Sequence, residues 1–248
     1  MQQPFHTTIL QKSKFKVIKW KNDLLHLLYP DMCLICSQEL PNSEVQLCHL
    51  CEHSLRYTYY ETFQDASSLD KLFWGRVDLE STFALLHFEK QTSTQEILHQ
   101  IKYKNKSKLA AEMGRRIGQK IQLDQNRFGG IDALIPVPMH PKKQYLRGYN
   151  QSELIAEGIS KTTGIPVNKS FISKKSNTES QTKKGRFLRW DNVSEVFEIN
   201  TSKMNDAKHL AIIDDVVTTG ATIEACILKI RNELPNIKIS IISLAATK

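Results

Sequence analysis

The stretch Leu210–Thr222, which reads LAIIDDVVTTGAT, decides the fold and the function predicted for this chain. It passes from an apolar segment into two adjacent acids, Asp214 and Asp215, and then into a hydroxyl-rich turn around one glycine. Neighbouring carboxylates repel each other, so a pair of them at the solvent-facing end of a buried strand indicates a cation or a polyhydroxyl ligand beside them. The stretch therefore predicts a binding site.

The turn that follows the acids has the chemistry of an anion site. It contains Thr218, Thr219, Gly220 and Thr222, just before a predicted helix. Backbone N–H groups and hydroxyls of such a turn can converge on one phosphate, and the glycine allows the backbone to approach it closely. A phosphate would be repelled by the carboxylates, so we expect the acids to bind neutral hydroxyls nearby. A ribose 5-phosphate satisfies both requirements, and Mg²⁺ would bridge its oxygens if it also carried a pyrophosphate.

From about residue 76 the chain alternates between strand and helix patterns. Apolar strands are predicted in STFALLHFEK, GGIDALIPVP, HLAIIDDVV and IKISIISLAA, with helices in the segments between them. One of these helices has Asn150 as its N-cap, Glu153 three residues later and Gly164 at its C-terminal end. The alternation predicts an α/β fold with a parallel sheet flanked by helices, in which ligands bind beyond the carboxyl ends of the strands.

Four cysteines near the N-terminus have the spacing of a metal site. Cys33 and Cys36 form one C-x-x-C pair, and Cys48 and Cys51 form a second. Two such turns together supply four thiolates to a tetrahedral zinc ion, and a site with no open position is structural rather than catalytic. A disulfide framework is the alternative, but nothing in the sequence indicates an oxidising compartment. We therefore predict a small zinc ribbon.

Basic residues exceed acidic ones, with 34 Lys and Arg against 26 Asp and Glu. The excess lies in the N-terminal segment up to Lys21, in the stretch Lys102–Lys108 and in a polar loop over residues 173–190. Such clusters suit a polyanion, either nucleic acid or a phosphorylated small molecule, and the alternative is a solvated surface. Aromatic residues among them could stack on unpaired bases. The nucleic-acid candidates are Lys102, Tyr103, Lys104, Lys183, Lys184 and Arg186, with Tyr145, Tyr149 and Trp190 as further stacking residues.

Length and composition are those of an ordinary globular protein. A chain of 248 residues, 40% of them apolar and 24% charged, is long enough for one α/β domain and a small module. No apolar run reaches the roughly 20 residues that a membrane span needs, and the N-terminus lacks the apolar core of a secretory signal. We therefore expect a cytoplasmic protein without a transmembrane segment.

Residues 210–222 resemble the phosphoribosyl diphosphate (PRPP) motif of the type I phosphoribosyltransferases. Three other segments, IPVPMHPKKQYLRGYNQS, IKYKNKSKLA and TESQTKKGRFLRWDNV, resemble blocks of the ComF-type competence proteins, a family that also carries a four-cysteine ribbon. The likeness extends over about residues 22–247. It implies a type I phosphoribosyltransferase-like fold and a part in natural transformation, in which this family handles single-stranded DNA that has entered the cell.

The resemblance also implies roles for individual residues. Asp214 and Asp215 would contact the ribose hydroxyls and are the catalytic candidates, while the threonine turn would hold the 5-phosphate. The segment MHPKKQYLRG occupies the position of the pyrophosphate loop, which makes Lys142, Lys143 and Arg147 candidates for that group. The implied partners are PRPP or a related ribose phosphate, single-stranded DNA and proteins of the DNA-uptake machinery. Mg²⁺ would accompany PRPP, and the zinc would be structural.

Two alternatives stay open. The chain could be a phosphoribosyltransferase of nucleotide salvage or synthesis, displacing pyrophosphate at the anomeric carbon in favour of an unknown acceptor. It could instead be a zinc-ribbon binding module on an inactive phosphoribosyltransferase fold. The expected organisation is a basic extension over residues 1–21, a helix and zinc module over 22–60, and a phosphoribosyltransferase-like domain over 76–248.

Overall fold

The computed structural model describes residues 30–41, 46–62, 65–174, 197–204 and 206–247. The basic extension, the helix predicted before Pro30 and the loop residues Lys183, Lys184, Arg186 and Trp190 lie outside these ranges. The chain divides into two compact units, the first ending at Ser54 and the second beginning at Leu55.

The first unit carries the four cysteines on two short turns. An antiparallel bridge between Met32 and Glu39 closes the first turn, and Cys48 precedes helix α1 (His49–His53). The Cys48 thiol accepts a hydrogen bond from the backbone N–H of Cys51, so it serves as the N-cap of this helix.

The second unit is built on a four-stranded parallel sheet in the order β1-β6-β5-β2. Its strands are β1 (Ser81–His87), β2 (Ala133–Pro136), β5 (His209–Val217) and β6 (Lys238–Ala246). Strands β5 and β6 lie in the centre and are buried over almost their whole length, as expected for a parallel sheet that helices cover. A separate antiparallel pair joins β3 (Ile172–Lys174) to β4 (Phe197–Ile199). The predicted α/β fold, a parallel sheet flanked by helices, is confirmed.

Most helices of this unit lie between the strands, as the alternation predicts, and α2 precedes the first strand. Their bounds are α2 (Ser68–Phe73), α3 (Ser93–Tyr103), α4 (Ser107–Ile121), α5 (Gln125–Phe128), α6 (Pro141–Arg147), α7 (Gln151–Thr163) and α8 (Ala221–Glu233), with 3₁₀ turns at Tyr60–Thr62 and Thr201–Lys203. The caps predicted for α7 are confirmed, because the Asn150 side chain accepts from the Ser152 N–H and Gly164 is left-handed, with a φ of 78°. None of the helices in the described ranges is long and apolar enough to span a bilayer.

Helices α4 and α7 approach each other closely because a glycine of each faces the other. A Cβ atom on Gly158 would lie 2.2 Å from the carbonyl oxygen of Ala111 and 2.8 Å from the Cα atom of Gly114. A Cβ atom on Gly114 would lie 2.2 Å from the carbonyl oxygen of Ile155. Such contacts with backbone atoms cannot be relieved by a rotamer change. The crossing therefore sets the position of α7, whose first turn reaches the acid pair.

We expect Gly158→Ala to lower the free energy of unfolding by about 1–3 kcal/mol, the usual cost of overpacking a close contact. Urea denaturation followed by circular dichroism measures this change. Gly130→Ala is the matched control, because its Cβ atom would meet only the His209 Nδ1 atom at 3.7 Å and its φ is not left-handed. Equal stability of the two variants would contradict the close crossing.

Candidate functional site

The acid pair lies within strand β5 rather than beyond its end. Strand β5 continues to Val217, which pairs with Ala246 of β6, so the ladder extends two residues past Asp215. Asp214 is partly exposed, whereas Asp215 is only 4% exposed. The expectation that both acids face solvent is wrong for Asp215, because neighbouring elements cover it.

The first turn of α7 contacts both acids. The Gln151 side-chain amide donates to Asp215 Oδ2 at 2.7 Å, and the Ser152 hydroxyl donates to Asp214 Oδ1 at 3.1 Å. The same Asp214 oxygen accepts the backbone N–H of Asp215 at 2.9 Å. A helix N-terminus carries a partial positive charge, so it stabilises the nearby carboxylates. Among the described residues, the other oxygen of each carboxylate, Asp214 Oδ2 and Asp215 Oδ1, accepts no hydrogen bond and remains for a ligand.

Lys102 belongs to this site rather than to an open basic surface. Its ammonium group lies 3.0 Å from Asp215 Oδ2, and the two side chains are 21% and 5% exposed. Lys102 was predicted as a nucleic-acid candidate, and in this structure its charge is paired with Asp215. Tyr103 and Lys104, the next two candidates, remain exposed.

Of the three pyrophosphate-loop candidates, Arg147 is the one that the structure connects to the acids. Its guanidinium donates to the Gln151 Oε1 atom at 2.5 Å, and Gln151 in turn donates to Asp215. Arg147 also stacks over the Tyr103 ring, with its Cζ atom 5.6 Å from the ring centroid. Lys142 and Lys143 lie exposed on α6, a helix that buries no side chain.

Asp214 has an unusual proton affinity for a carboxyl group. Burial and then the neighbouring charge of Asp215 raise the pKa of Asp214 to about 7, although the hydrogen bonds from Asp215 N–H and Ser152 and the charge of Lys102 oppose the shift. The carboxyl group therefore changes charge near neutral pH. Only its ionised form is a strong acceptor for two sugar hydroxyls.

The threonine turn offers unoccupied donors. Among the described residues, the backbone N–H groups of Thr218, Thr219, Gly220 and Thr222 donate no hydrogen bond. Thr218 and Thr219 are exposed, and the turn leads directly into α8. Free N–H groups at the start of a helix are what a phosphate needs. The geometry thus keeps the predicted anion site available.

Gly220 is required here for a reason that the sequence did not reveal. Its φ is 74°, and a Cβ atom would lie 2.8 Å from two ring carbons of Phe73. The glycine therefore accommodates the packing of α2 against the turn, in addition to the left-handed backbone. We expected only a close approach to the ligand.

Arg76 contacts the threonine turn, and the sequence analysis did not identify it. Its guanidinium donates to the Thr219 carbonyl oxygen at 2.9 Å and pairs with Glu224 in the first turn of α8. It also lies over the Phe73 ring, 5.5 Å from the centroid. Arg76 precedes the predicted strands and matches no motif, so the sequence carries no signal for its role.

The four cysteines form a compact cluster. Their Sγ atoms all lie within 4.8 Å of one another, and those of Cys36 and Cys48 are 3.6 Å apart. Tetrahedral zinc with thiolate bonds of about 2.3 Å spaces the sulfurs by about 3.8 Å, so the cluster fits a zinc ribbon. Burial opposes ionisation of Cys33, but backbone N–H groups of Cys36, Cys48 and Ile35 lower its pKa to about 6. The spacing is too long for disulfides.

We expect Cys33→Ser and Cys48→Ser to lose bound zinc, because removing one thiolate opens the tetrahedral shell. Metal analysis of the purified protein measures this loss. Cys226→Ala is the control, since Cys226 is buried in the second unit and should leave the zinc content unchanged. A Cys33→Ser/Cys48→Ser double variant that keeps one zinc ion per chain would refute the four-thiolate site.

Known proteins similar to this chain include DNA utilization proteins and competence proteins. The "DNA utilization protein YhgH" of Salmonella typhimurium is 26% identical over 229 residues, which cover 86% of this chain and 96% of that protein. The "Competence protein F" of Haemophilus influenzae is 32% identical over 93 residues, covering 37% of this chain and 41% of that protein. The "Competence protein ComFC" of Bacillus subtilis is 30% identical over 90 residues, covering 36% and 34%.

No protein-family model matches the chain. The matches to Competence protein F, to ComFC and to YhgH nevertheless confirm the resemblance to the ComF-type proteins.

Proposed function

We propose that this protein takes part in natural DNA uptake, binding a ribose 5-phosphate such as PRPP and handling incoming single-stranded DNA. The uptake role is supported by the relatives named competence proteins and DNA utilization proteins. The ligand is supported by one observation above all. Among the described residues, each of the two carboxylates has one oxygen that accepts no hydrogen bond, and the turn that follows has four backbone N–H groups that donate none. Hydroxyls and a phosphate are the groups that satisfy these two halves.

The division of charge favours a sugar phosphate over a simple anion. An anion alone would use the turn and leave the free carboxylate oxygens without donors, and it would be repelled by them. A ribose 5-phosphate extends from the turn to the acids through neutral carbon atoms, and its 2- and 3-hydroxyls donate to the carboxylates. Arg147, with Lys142 and Lys143 on the same helix, supplies positive charge for a pyrophosphate on the other side of the sugar.

Asp214→Asn should weaken the binding of ribose 5-phosphate about 10- to 100-fold, because a hydrogen bond to a charged acceptor contributes about 1.5–3 kcal/mol. Isothermal titration calorimetry measures the change, and circular dichroism shows whether the fold is kept. The wild-type affinity should also rise as the pH increases through about 7, where Asp214 ionises. The variant should retain only the pH dependence of the ligand's own phosphate.

The proposed ligand would be refuted if the wild type bound neither ribose 5-phosphate nor PRPP at millimolar concentration at any pH from 6 to 9. Release of pyrophosphate from PRPP in the presence of one of a panel of nucleobases would instead favour the phosphoribosyltransferase of salvage.

The single-stranded DNA part of the proposal is supported by exposed basic and aromatic side chains. On α6, Tyr145 is 89% exposed and Leu146 is 84% exposed, beside the exposed Lys142 and Lys143. The Arg147 guanidinium connects this helix to Tyr103, which is 69% exposed. Lysines that track the phosphates and rings that stack on bases are the general features of single-strand binding. Tyr149 is a weaker candidate, because its hydroxyl donates to the Ile101 carbonyl oxygen.

Lys142→Ala/Lys143→Ala should reduce the slope of log affinity against log salt for an oligo-dT strand by about 1.4, from about 0.7 per phosphate contact. Fluorescence anisotropy at graded salt concentration measures the slope. The control Lys161→Ala/Lys208→Ala removes the same charge at the C-terminal end of α7 and just before β5, away from α6. Equal losses in both double variants, or no affinity of the wild type at low salt, would contradict the α6 surface.

A further inference from the structure

The acid pair is compensated by cations of the chain itself. Lys102 pairs with Asp215 directly, and Arg147 reaches the same carboxylate through the Gln151 amide. The amide is held at both ends, because its oxygen accepts from the guanidinium and its nitrogen donates to the carboxylate. Two carboxylates, Asp214 and Asp215, thus share a connected set of contacts with two permanent cations.

Lys102 is held in place by its backbone as well as by its ammonium group. It is the penultimate residue of α3. It follows Ile101, which is fully buried, and precedes Tyr103, which is exposed. The Tyr149 hydroxyl donates to the Ile101 carbonyl oxygen, and Arg147 stacks on Tyr103. Both neighbours of Lys102 are therefore contacted by the end of α6 and the segment that connects it to α7. The lysine is preorganised, so little side-chain entropy is lost when it pairs with Asp215.

The Asp215 Oδ2 atom is a poor ligand position for a divalent cation. Mg²⁺ prefers an octahedral shell of oxygen ligands, whereas Asp215 Oδ2 already accepts from an ammonium and an amide. A divalent cation on this carboxylate would lie close to the Lys102 ammonium and be repelled by it. Within the described ranges, metal-ligating side chains gather in groups of three or more only at the four cysteines. The predicted Mg²⁺ is therefore left to a pyrophosphate on the ligand.

We propose that Lys102 is a positioning residue that replaces a divalent cation at the acid pair, so that the site binds the ribose of a sugar phosphate without Mg²⁺. This inference rests on the proposed ribose phosphate ligand. Lys102 holds the Asp215 carboxylate in place through Oδ2, and among the described residues Oδ1 has no hydrogen-bond donor, so it can accept from a sugar hydroxyl. Asp214 is coupled to the same charge, because its ionised form is destabilised by Asp215 and stabilised by Lys102.

Ribose 5-phosphate is the probe that isolates this effect, because it has the hydroxyls and the phosphate of PRPP but no pyrophosphate to chelate a metal. Calorimetric titrations of the full-length protein in EDTA and in millimolar Mg²⁺ should give wild-type dissociation constants that agree within about twofold, well under the tenfold change that corresponds to about 1.4 kcal/mol. Lys102→Met should weaken binding at least about tenfold in EDTA, because a buried carboxylate loses its charged partner. Millimolar Mg²⁺ should then restore part of the affinity.

Two further variants separate a positioning role from a merely structural one. Lys102→Arg keeps the charge and should bind within about threefold of the wild type in EDTA, a change of well under 1 kcal/mol. Lys108→Met removes one positive charge from an exposed position on α4 and should change neither the affinity nor its metal dependence. Weakening by Lys108→Met equal to that by Lys102→Met would show a general field effect and overturn the role of Lys102.

The wild-type measurement decides the inference even if Lys102→Met does not fold. A wild type that binds ribose 5-phosphate only with Mg²⁺ would overturn the inference and leave the proposed function standing. A wild type that binds neither ribose 5-phosphate nor PRPP, with or without Mg²⁺, would refute the proposed function and this inference with it.

Discussion

A carboxylate that is almost completely withdrawn from water, that of Asp215, is the constraint on which the rest of this site depends. An isolated charge in such a place costs several kcal/mol, and the cost must be offset by donors of the same protein. Here the donors are the Lys102 ammonium, the Gln151 amide and the N-terminal end of helix α7. Lys102 lies on α3 and Gln151 on α7, so both donors come from elements other than β5. The buried charge therefore requires α3, α7 and β5 to meet at one point.

The scaffold brings these elements together by backbone contacts rather than by large side chains. Gly114 and Gly158 let α4 and α7 touch, and the Asn150 cap fixes where α7 begins. On the other side of the acids, Arg76 and Phe73 contact the threonine turn, whose N–H groups from Thr218 to Gly220 donate no hydrogen bond within the described part of the chain. Both halves of the site are thus supported by rigid elements, which is the condition for a ligand to be bound without a large ordering cost.

The sequence predicted the parts of this structure that depend on local patterns. The alternation of strands and helices, the caps of α7 and the spacing of the four cysteines each follow from a few neighbouring residues. The acid pair and the turn were found in the same way, as one continuous stretch. Lys102 was predicted as a nucleic-acid candidate in a basic run, whereas its pairing with Asp215 depends on how distant segments fold together. Gln151 lies in a segment that the resemblance singled out, but its contact with Asp215 depends on the fold, and Arg76 belongs to no motif at all.

Helix α6 differs from the other helices near the site because it contributes no side chain to the core. It is fixed at its ends instead, by the His140 cap with Pro141 in the first turn and by the left-handed Gly148. Substitutions of the residues between these ends should therefore cost little folding stability. Charge and ring content along Lys142–Leu146 are free to evolve separately from the buried carboxylate, and related chains could retune what they capture without rebuilding the domain.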